Sequence, residues 1–197
     1  MDIKNNIEYY KLLQGLKKVV RYKPHSGLHE SVAGHCFSAV SLANDLIKTY
    51  NLNLNSARVI DLLLVHDLAE VGMDFDFPAP LVAESEKLSN KKNKLENSKM
   101  LAISKKFSRE HIYNLFAEFD DMKTNESVFA NLIDKLESML YVLTNNCADF
   151  TTNEQFEFII NYANNFINYF PELEGLITEI KEQLTKIYNQ FKKNADK

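Results

Sequence analysis

The chain has 197 residues, of which 45% are hydrophobic and 25% charged, the usual composition of one globular domain with a sizeable core. Its 5 glycines and 4 prolines leave few places for tight turns, which argues against a strand-rich fold and favours an all-α one. The net charge of -4 argues against a nucleic-acid-binding surface, which normally carries a basic excess. The isolated cysteines, the lack of a long apolar run and an N-terminus unlike a signal peptide predict a cytoplasmic protein that does not span a membrane.

Apolar residues recur at i, i+3 and i+4 along almost the whole chain, which is typical of amphipathic helices. Ser56 and Ser108 stand where N-caps are expected, and Pro78 and Pro80 end a loop that begins at Gly72. We therefore expect one all-α domain over residues 1–197, without repeats or linkers, made of about eight helices. The predicted helices cover about residues 4–22, 31–50, 57–70, 83–106, 108–119, 124–146, 153–169 and 172–192.

The third predicted helix carries three ionisable residues directly after its most apolar segment. The sequence LLLVHDLAEV places His66, Asp67 and Glu70 just beyond Val65. Side chains three or four positions apart share one helix face, and a buried carboxylate is costly unless it is paired or coordinated. The alternative is an exposed helix end, where His66 would cap the last carbonyls and Asp67 would be solvated.

Two other helices carry an ionisable residue within an apolar pattern. His35 lies in ESVAGHCFSAV and Asp134 lies in NLIDKLESML. Taken alone, His35 is more typical of a hydrogen-bonded core residue and Asp134 of a solvated one. Together with His66 and Asp67, they supply two imidazoles and two carboxylates, a set that suits a first-row divalent transition metal better than calcium.

The order His35, then His66-Asp67, then Asp134 resembles the HD-domain superfamily of metal-dependent phosphohydrolases. Further stretches are similar to the bacterial 5'-deoxynucleotidase subgroup and its eukaryotic HD-domain relatives. These stretches are RY at 21–22, ESVAGH at 30–35, LLVHDLAEV at 63–71 and DFP at 76–78. The resemblance implies an all-α HD-domain bundle, with a motif core at about 15–145 and C-terminal helices at 150–192 that pack on it.

The resemblance also implies a role for each matching residue. The metal ligands would be His35, His66, Asp67 and Asp134; the catalytic carboxylates would be Glu70 and Asp76; and the substrate would contact Arg21 and Tyr22. By itself, Arg21 would read equally well as a charge favourable to the dipole at the end of the first helix.

The sequence departs from the family pattern at several positions. Tyr22 stands in place of a tryptophan, which leaves the base and sugar preference open. Gly34 stands in place of an acidic residue, and the loop after Glu70 is one residue longer, so that Asp74 competes with Asp76 for the second carboxylate role. His25 and His29 fit loop surface positions, with substrate contact as the alternative.

The expected activity is removal of phosphate from (deoxy)nucleoside 5'-monophosphates with one divalent ion of Mn, Co, Fe, Ni or Zn rather than Mg. The ion would supply hydroxide near neutral pH. The alternatives are an HD hydrolase of a nucleoside triphosphate or a cyclic nucleotide, and a module that binds metal or nucleotide without turnover. The expected partners are a small nucleotide and, from the resemblance, a second copy of the chain, with no nucleic-acid polymer and no membrane.

Overall fold

The computed structural model of the protein describes residues 2–22, 30–72, 86–145 and 153–195. Within these ranges it contains eight α-helices and one short antiparallel ribbon, which confirms the predicted all-α class. The ribbon pairs β1 (Val20–Tyr22) with β2 (Glu30–Ser31). The helices are α1 (Ile3–Gly15), α2 (Val32–Thr49), α3 (Ser56–Val65), α4 (Glu86–Phe107), α5 (Glu110–Asp121), α6 (Asn125–Asn145), α7 (Asn153–Tyr162) and α8 (Glu174–Ala195).

The centre of the molecule is α6, which packs against α2 and α3 on one side and against α8 on another. Its residues 127–134 are all buried, because neighbouring helices cover it on every side there. On α2, the buried Val32, Ala39 and Ala43 have small side chains that let the facing helices approach closely. None of the helices in the described ranges is long and apolar enough to cross a bilayer.

The first predicted helix, at about 4–22, is too long. The helix α1 ends at Gly15, and the residues from Val20 to Tyr22 form the strand β1. The segment between α1 and β1 accepts hydrogen bonds from the first N–H groups of α2. Val32 donates to the carbonyl of Val19 at 3.0 Å, and Ala33 donates to that of Leu16 at 3.2 Å. These long-range hydrogen bonds have no signal in helical periodicity. They place Arg21 on β1 beside the start of α2, so the interpretation of Arg21 as a helix-end charge is wrong.

The third predicted helix is also too long. After α3 ends at Val65, the chain makes a turn at residues 66–67 and then a 3₁₀ helix over Leu68–Gly72. The N–H of Glu70 donates to the carbonyl of Asp67 at 3.1 Å, the i to i−3 bond of that tighter helix. Leu68, Ala69 and Glu70 are consecutive and all buried, because α1 and α4 both cover this segment.

The two predicted N-caps are each wrong by one residue. The side chain of Asn55, rather than Ser56, caps α3 by accepting the N–H of Arg58 at 3.2 Å. Ser108 takes a left-handed conformation with φ of 52°, and α5 begins after Arg109 without a side-chain cap. The last two predicted helices are each divided, since α7 continues into a 3₁₀ turn at Ala163–Phe166 and α8 is preceded by another at Pro171–Leu173.

Candidate metal centre

Four side chains from three parts of the fold converge at the junction of α2, α3 and α6. His35 lies in the first turn of α2, His66 and Asp67 lie in the turn after α3, and Asp134 lies in the middle of α6. His35 is fully buried, and His66 and Asp134 are 6% and 5% exposed. The exposed helix end considered for His66 and Asp67 is therefore wrong, as is a solvated Asp134.

The donor atoms of this group face one another at short range. The Nε2 atom of His35 lies 3.3 Å from Nε2 of His66, 3.8 Å from Oδ2 of Asp67 and 3.1 Å from Oδ1 of Asp134. From Nε2 of His66, the distances to the same two carboxylate oxygens are 3.2 and 3.8 Å. Each imidazole thus presents the same nitrogen to a common centre.

Three of these separations, the 3.3, 3.1 and 3.2 Å ones, fit ligands of one metal ion. Ligands about 2.1 Å from a first-row divalent ion and at tetrahedral or right angles lie roughly 3.0–3.4 Å apart. In addition, the buried Oδ2 atom of Asp67 accepts no hydrogen bond from the described residues, although it faces both imidazoles. His35, His66 and Asp134 form a cluster able to hold a metal ion, and Asp67 approaches the same nitrogens.

The remaining ring nitrogen of each histidine is held by a hydrogen-bond acceptor. Nδ1 of His35 donates to Oε2 of Glu137, a buried carboxylate one turn beyond Asp134 on α6. Nδ1 of His66 donates to the main-chain carbonyl of Leu63 at 2.7 Å. Both Nδ1 atoms therefore carry hydrogen, and in the neutral imidazoles Nε2 is the atom with a free lone pair, as a metal ligand requires.

The charges in the site shift the ionisation of its members. Burial and the nearby Arg21 oppose a cation on His35, but hydrogen bonds to Asp134 and Glu137 outweigh them and raise the pKa of His35 to about 9. Burial alone would raise the pKa of Asp67, but His66 and Arg21 hold it well below its usual value. For Asp134, the charges of Lys135 and Arg21 outweigh burial and likewise lower the pKa.

Arg21 reaches into this site from β1. Its Nη2 atom donates to Oδ1 of Asp134 at 2.7 Å, and its Nε atom lies 3.6 Å from Oδ2 of Asp67. The side chain is 15% exposed, so the guanidinium lies at the wall of the site and keeps some contact with solvent. A cation in this position can both neutralise the carboxylates and meet an anionic group that enters beside them.

Of the two predicted catalytic carboxylates, Glu70 lies in the described part of the chain. It is 1% exposed, and its negative charge contributes to a raised pKa of Cys36, whose main causes are burial and Asp67. Glu70 lies in the 3₁₀ helix directly after the turn that carries His66 and Asp67. Asp76, its competitor Asp74, and the loop histidines His25 and His29 lie outside the described residues, and for Tyr22 only the backbone is described.

Three further residues around the site carried no functional prediction. Glu137 follows Asp134 by three positions, a spacing on one helix face that could have indicated it. Glu30 is buried beside Glu137, and burial together with the Glu137 charge raises the pKa of Glu30 to about 7. Lys135 donates to Oδ2 of Asp134 at 2.8 Å, and its ammonium lies 5.5 Å from the ring centre of Tyr162.

Comparison with known proteins decides the family. A family model described as HD domain matches residues 13–174. The chain belongs to the HD-domain family. This membership confirms the resemblance found in the sequence.

Several known proteins are similar to this chain at low sequence identity. Proteins named 5'-deoxynucleotidase HDDC2 are 26% identical over 91% of this chain and 88% of the protein in Danio rerio, and 28% identical with the same shares in Xenopus laevis. Among solved structures, a protein of Pyrococcus horikoshii OT3 has a TM-score of 0.65 and 22% identity, covering 90% of this chain and 99% of its own. A "Predicted metal-dependent phosphohydrolase" of Magnetospirillum magnetotacticum MS-1 has a TM-score of 0.69 and 14% identity, covering 94% and 96%.

Proposed function

We propose that this HD-domain protein is a metal-dependent phosphohydrolase that removes phosphate from nucleoside 5'-monophosphates, with deoxy forms preferred. The observation that carries the proposal is the convergence of His35, His66, Asp67 and Asp134 on one centre, at separations that suit a first-row divalent ion. The names of the HDDC2 relatives support the substrate class, at 26 to 28% identity.

In this proposal, His35, His66, Asp67 and Asp134 are the metal ligands. Two nitrogen and two oxygen donors favour Mn, Co, Fe, Ni or Zn over Mg, which prefers oxygen. When bound, such an ion supplies an activated water and polarises the phosphoryl group. The Nδ1 atoms of both imidazoles are engaged by Glu137 and the Leu63 carbonyl, which leaves Nε2 of each ring to bind the ion.

The remaining residues of this chain would handle the phosphate and the protons. Arg21, whose guanidinium already lies among the carboxylates, would donate charge-assisted hydrogen bonds to the phosphate. One of Glu70 and Asp76 would donate a proton to the departing 5' oxygen, and the other would orient the attacking water. Tyr22 would contact the nucleoside. A homodimer and a cytoplasmic location stay predictions.

The experiment that tests this function is a substrate and metal panel. Protein stripped of metal is assayed with nucleoside mono-, di- and triphosphates, cyclic nucleotides, and Mn²⁺, Co²⁺, Ni²⁺ or Mg²⁺. We expect phosphate release from 5'-monophosphates alone, with a transition metal more effective than Mg²⁺. Release from triphosphates or cyclic nucleotides would instead support another HD hydrolase, and no turnover with any metal would support a binding module.

The matched variants for this assay are Asp67→Ala and Asp61→Ala. Asp61 is an exposed aspartate on α3, outside the converging group, so its removal tests for general effects of losing a carboxylate on that helix. We expect Asp67→Ala to lose both turnover and bound metal while Asp61→Ala keeps both. Equal activity in the two variants would refute the assignment of Asp67.

A further inference from the structure

A pair of buried carboxylates lies behind His35, on the side away from the converging donor atoms. Glu137 accepts the Nδ1 hydrogen bond of His35, and a carboxylate oxygen of Glu30 lies within 4.8 Å of one of Glu137. Glu30 and Glu137 are 8% and 6% exposed. Two carboxylates so far from solvent are costly unless each has a partner, so their presence here needs a reason.

The spacing on α6 gives His35 two contacts from the same helix. Asp134 approaches Nε2 at 3.1 Å, and Glu137, one turn later on the same face, accepts from Nδ1. The imidazole is thus held at both nitrogens by one rigid element. Arg21 completes the enclosure, since its Nη1 atom lies 4.0 Å from Oε2 of Glu137.

We propose that Glu137 is a positioning residue that fixes the ring orientation and the Nδ1–H tautomer of His35, with Glu30 holding Glu137 in place from β2. The inference rests on the proposed function, because it assumes a metal ion at Nε2 of His35. A carboxylate behind a metal-bound imidazole fixes the tautomer and increases the basicity of the ligating nitrogen. A neutral acceptor such as the Leu63 carbonyl behind His66 fixes the tautomer with less increase in basicity.

The alternative role for Glu137 is direct coordination. Carboxylate oxygens of Glu30 and Glu137 and a nitrogen of His35 all lie within 4.8 Å of one another. However, Nδ1 of His35 is engaged by Glu137, so the same ring atom is not available as a ligand on that side. The positioning role therefore predicts one bound ion per chain, and loss of Glu137 should weaken its binding without changing the stoichiometry.

The experiment compares Glu137→Gln with Glu126→Gln. Both glutamates lie on α6, and Glu126 accepts the N–H of Asn55 at 3.0 Å, so the control removes a hydrogen-bonded carboxylate from the same helix outside the site. Mn²⁺ affinity is measured by competition with a chelator, without substrate. We expect Glu137→Gln to bind one ion about 10–100-fold more weakly than the wild type. We expect the Mn²⁺ affinity of Glu126→Gln to stay within about twofold of the wild-type affinity, well below the tenfold change that corresponds to about 1.4 kcal/mol.

A spectroscopic readout separates positioning from a general structural effect. In wild-type protein loaded with Zn²⁺ and labelled with ¹⁵N histidine, the Nδ1 proton of His35 should give a strongly hydrogen-bonded resonance coupled to Nδ1. Glu137→Gln should shift it, while the resonance of His66 should stay unchanged because its acceptor is a main-chain carbonyl. The wild-type spectrum alone overturns the proposal if His35 binds the ion through Nδ1, even where the variant does not fold.

The outcomes also distinguish this inference from the proposed function. If the wild type binds metal and hydrolyses monophosphates, but Glu137→Gln keeps full affinity and an unshifted resonance, the positioning role alone is wrong. If Glu137→Gln loses a second ion, Glu137 is a ligand and the proposal is overturned. If the wild type binds no divalent ion, both the proposed function and this inference fail.

Discussion

His35 and His66 present the same atom to the same centre, yet the protein holds them by different means. His35 is held by two side chains of α6, with Asp134 at one ring nitrogen and Glu137 at the other. His66 is held by the neutral carbonyl of Leu63, one turn back on its own chain segment, and by the ring of Phe119, whose centre lies 5.1 Å away. One histidine is fixed by distant side chains and the other by local backbone.

The difference matters because the two supports fail in different ways. A main-chain carbonyl cannot be removed by a substitution, so the tautomer of His66 follows from the end of α3 itself. The tautomer of His35 depends on the side chain of Glu137, which a substitution can remove or replace with a different acceptor. We therefore expect metal affinity to respond strongly to changes on α6 and weakly to changes around His66 that leave the backbone in place.

The largest expected effect is common to both histidines. His35→Ala and His66→Ala should each weaken metal binding by more than about 100-fold, beyond the range expected for a residue that only supports a ligand. Metal content of the purified proteins, measured by elemental analysis, checks this. His111→Ala is the matched control, because His111 is an exposed histidine on α5. Normal metal content in either site variant would show that its imidazole is not a ligand.

The next effect concerns protons and is specific to His35. Its pKa is raised to about 9, so at neutral pH both ring nitrogens donate, and a metal ion at Nε2 must displace one proton. Metal affinity should therefore rise with pH, up to about tenfold per pH unit, and level off near the pKa. Calorimetry with Mn²⁺ in buffers of different ionisation enthalpy should measure about one proton released at pH 7.5. Zero release would contradict the raised pKa.

The same shift gives a signed effect on the stability of the metal-free protein. Because the folded pKa of about 9 lies above the ordinary value of 6.5, protonation of His35 stabilises the fold fully below pH 6.5. That contribution is lost as the pH rises through about 9, and urea unfolding of chelator-treated protein across this range should show the decline. Protein loaded with metal should not show it, because the proton has already left.

The smallest expected effect is at Phe119, which is half-buried against His66. Phe119→Leu keeps the backbone carbonyl that accepts the amide of Asn131 at 2.8 Å, and should cost about 1–2 kcal/mol of unfolding free energy. Metal affinity should fall less than tenfold, since the Leu63 carbonyl still holds His66. Phe191→Leu, at an exposed position on α8, is the control. If Phe119→Leu lost as much metal affinity as Glu137→Gln, packing of the Phe119 ring, rather than the Leu63 carbonyl, would orient His66.

The sequence by itself determined the helical class, the family and the identity of the four converging residues. Apolar residues at i, i+3 and i+4 predict helices because burial of one face is a local property of the chain. His66 and Asp67 stand out because ionisable groups directly after Leu62, Leu63 and Val65 are costly in a core without a partner. Each of these signals can be read within about two helical turns.

The tertiary structure decided what long-range contacts control. Periodicity gave no sign of the ribbon formed by β1 and β2, which carries Arg21 and Glu30. Arg21 then contacts Asp134, 113 positions later in the sequence. Periodicity also gave no sign that α3 stops at Val65, because the turn that orients His66 and Asp67 is set by packing of the 3₁₀ helix against α1 and α4. Glu137 can hydrogen-bond His35 only because α2 packs against α6. The two residues are 102 positions apart, so neither segment alone predicts this contact.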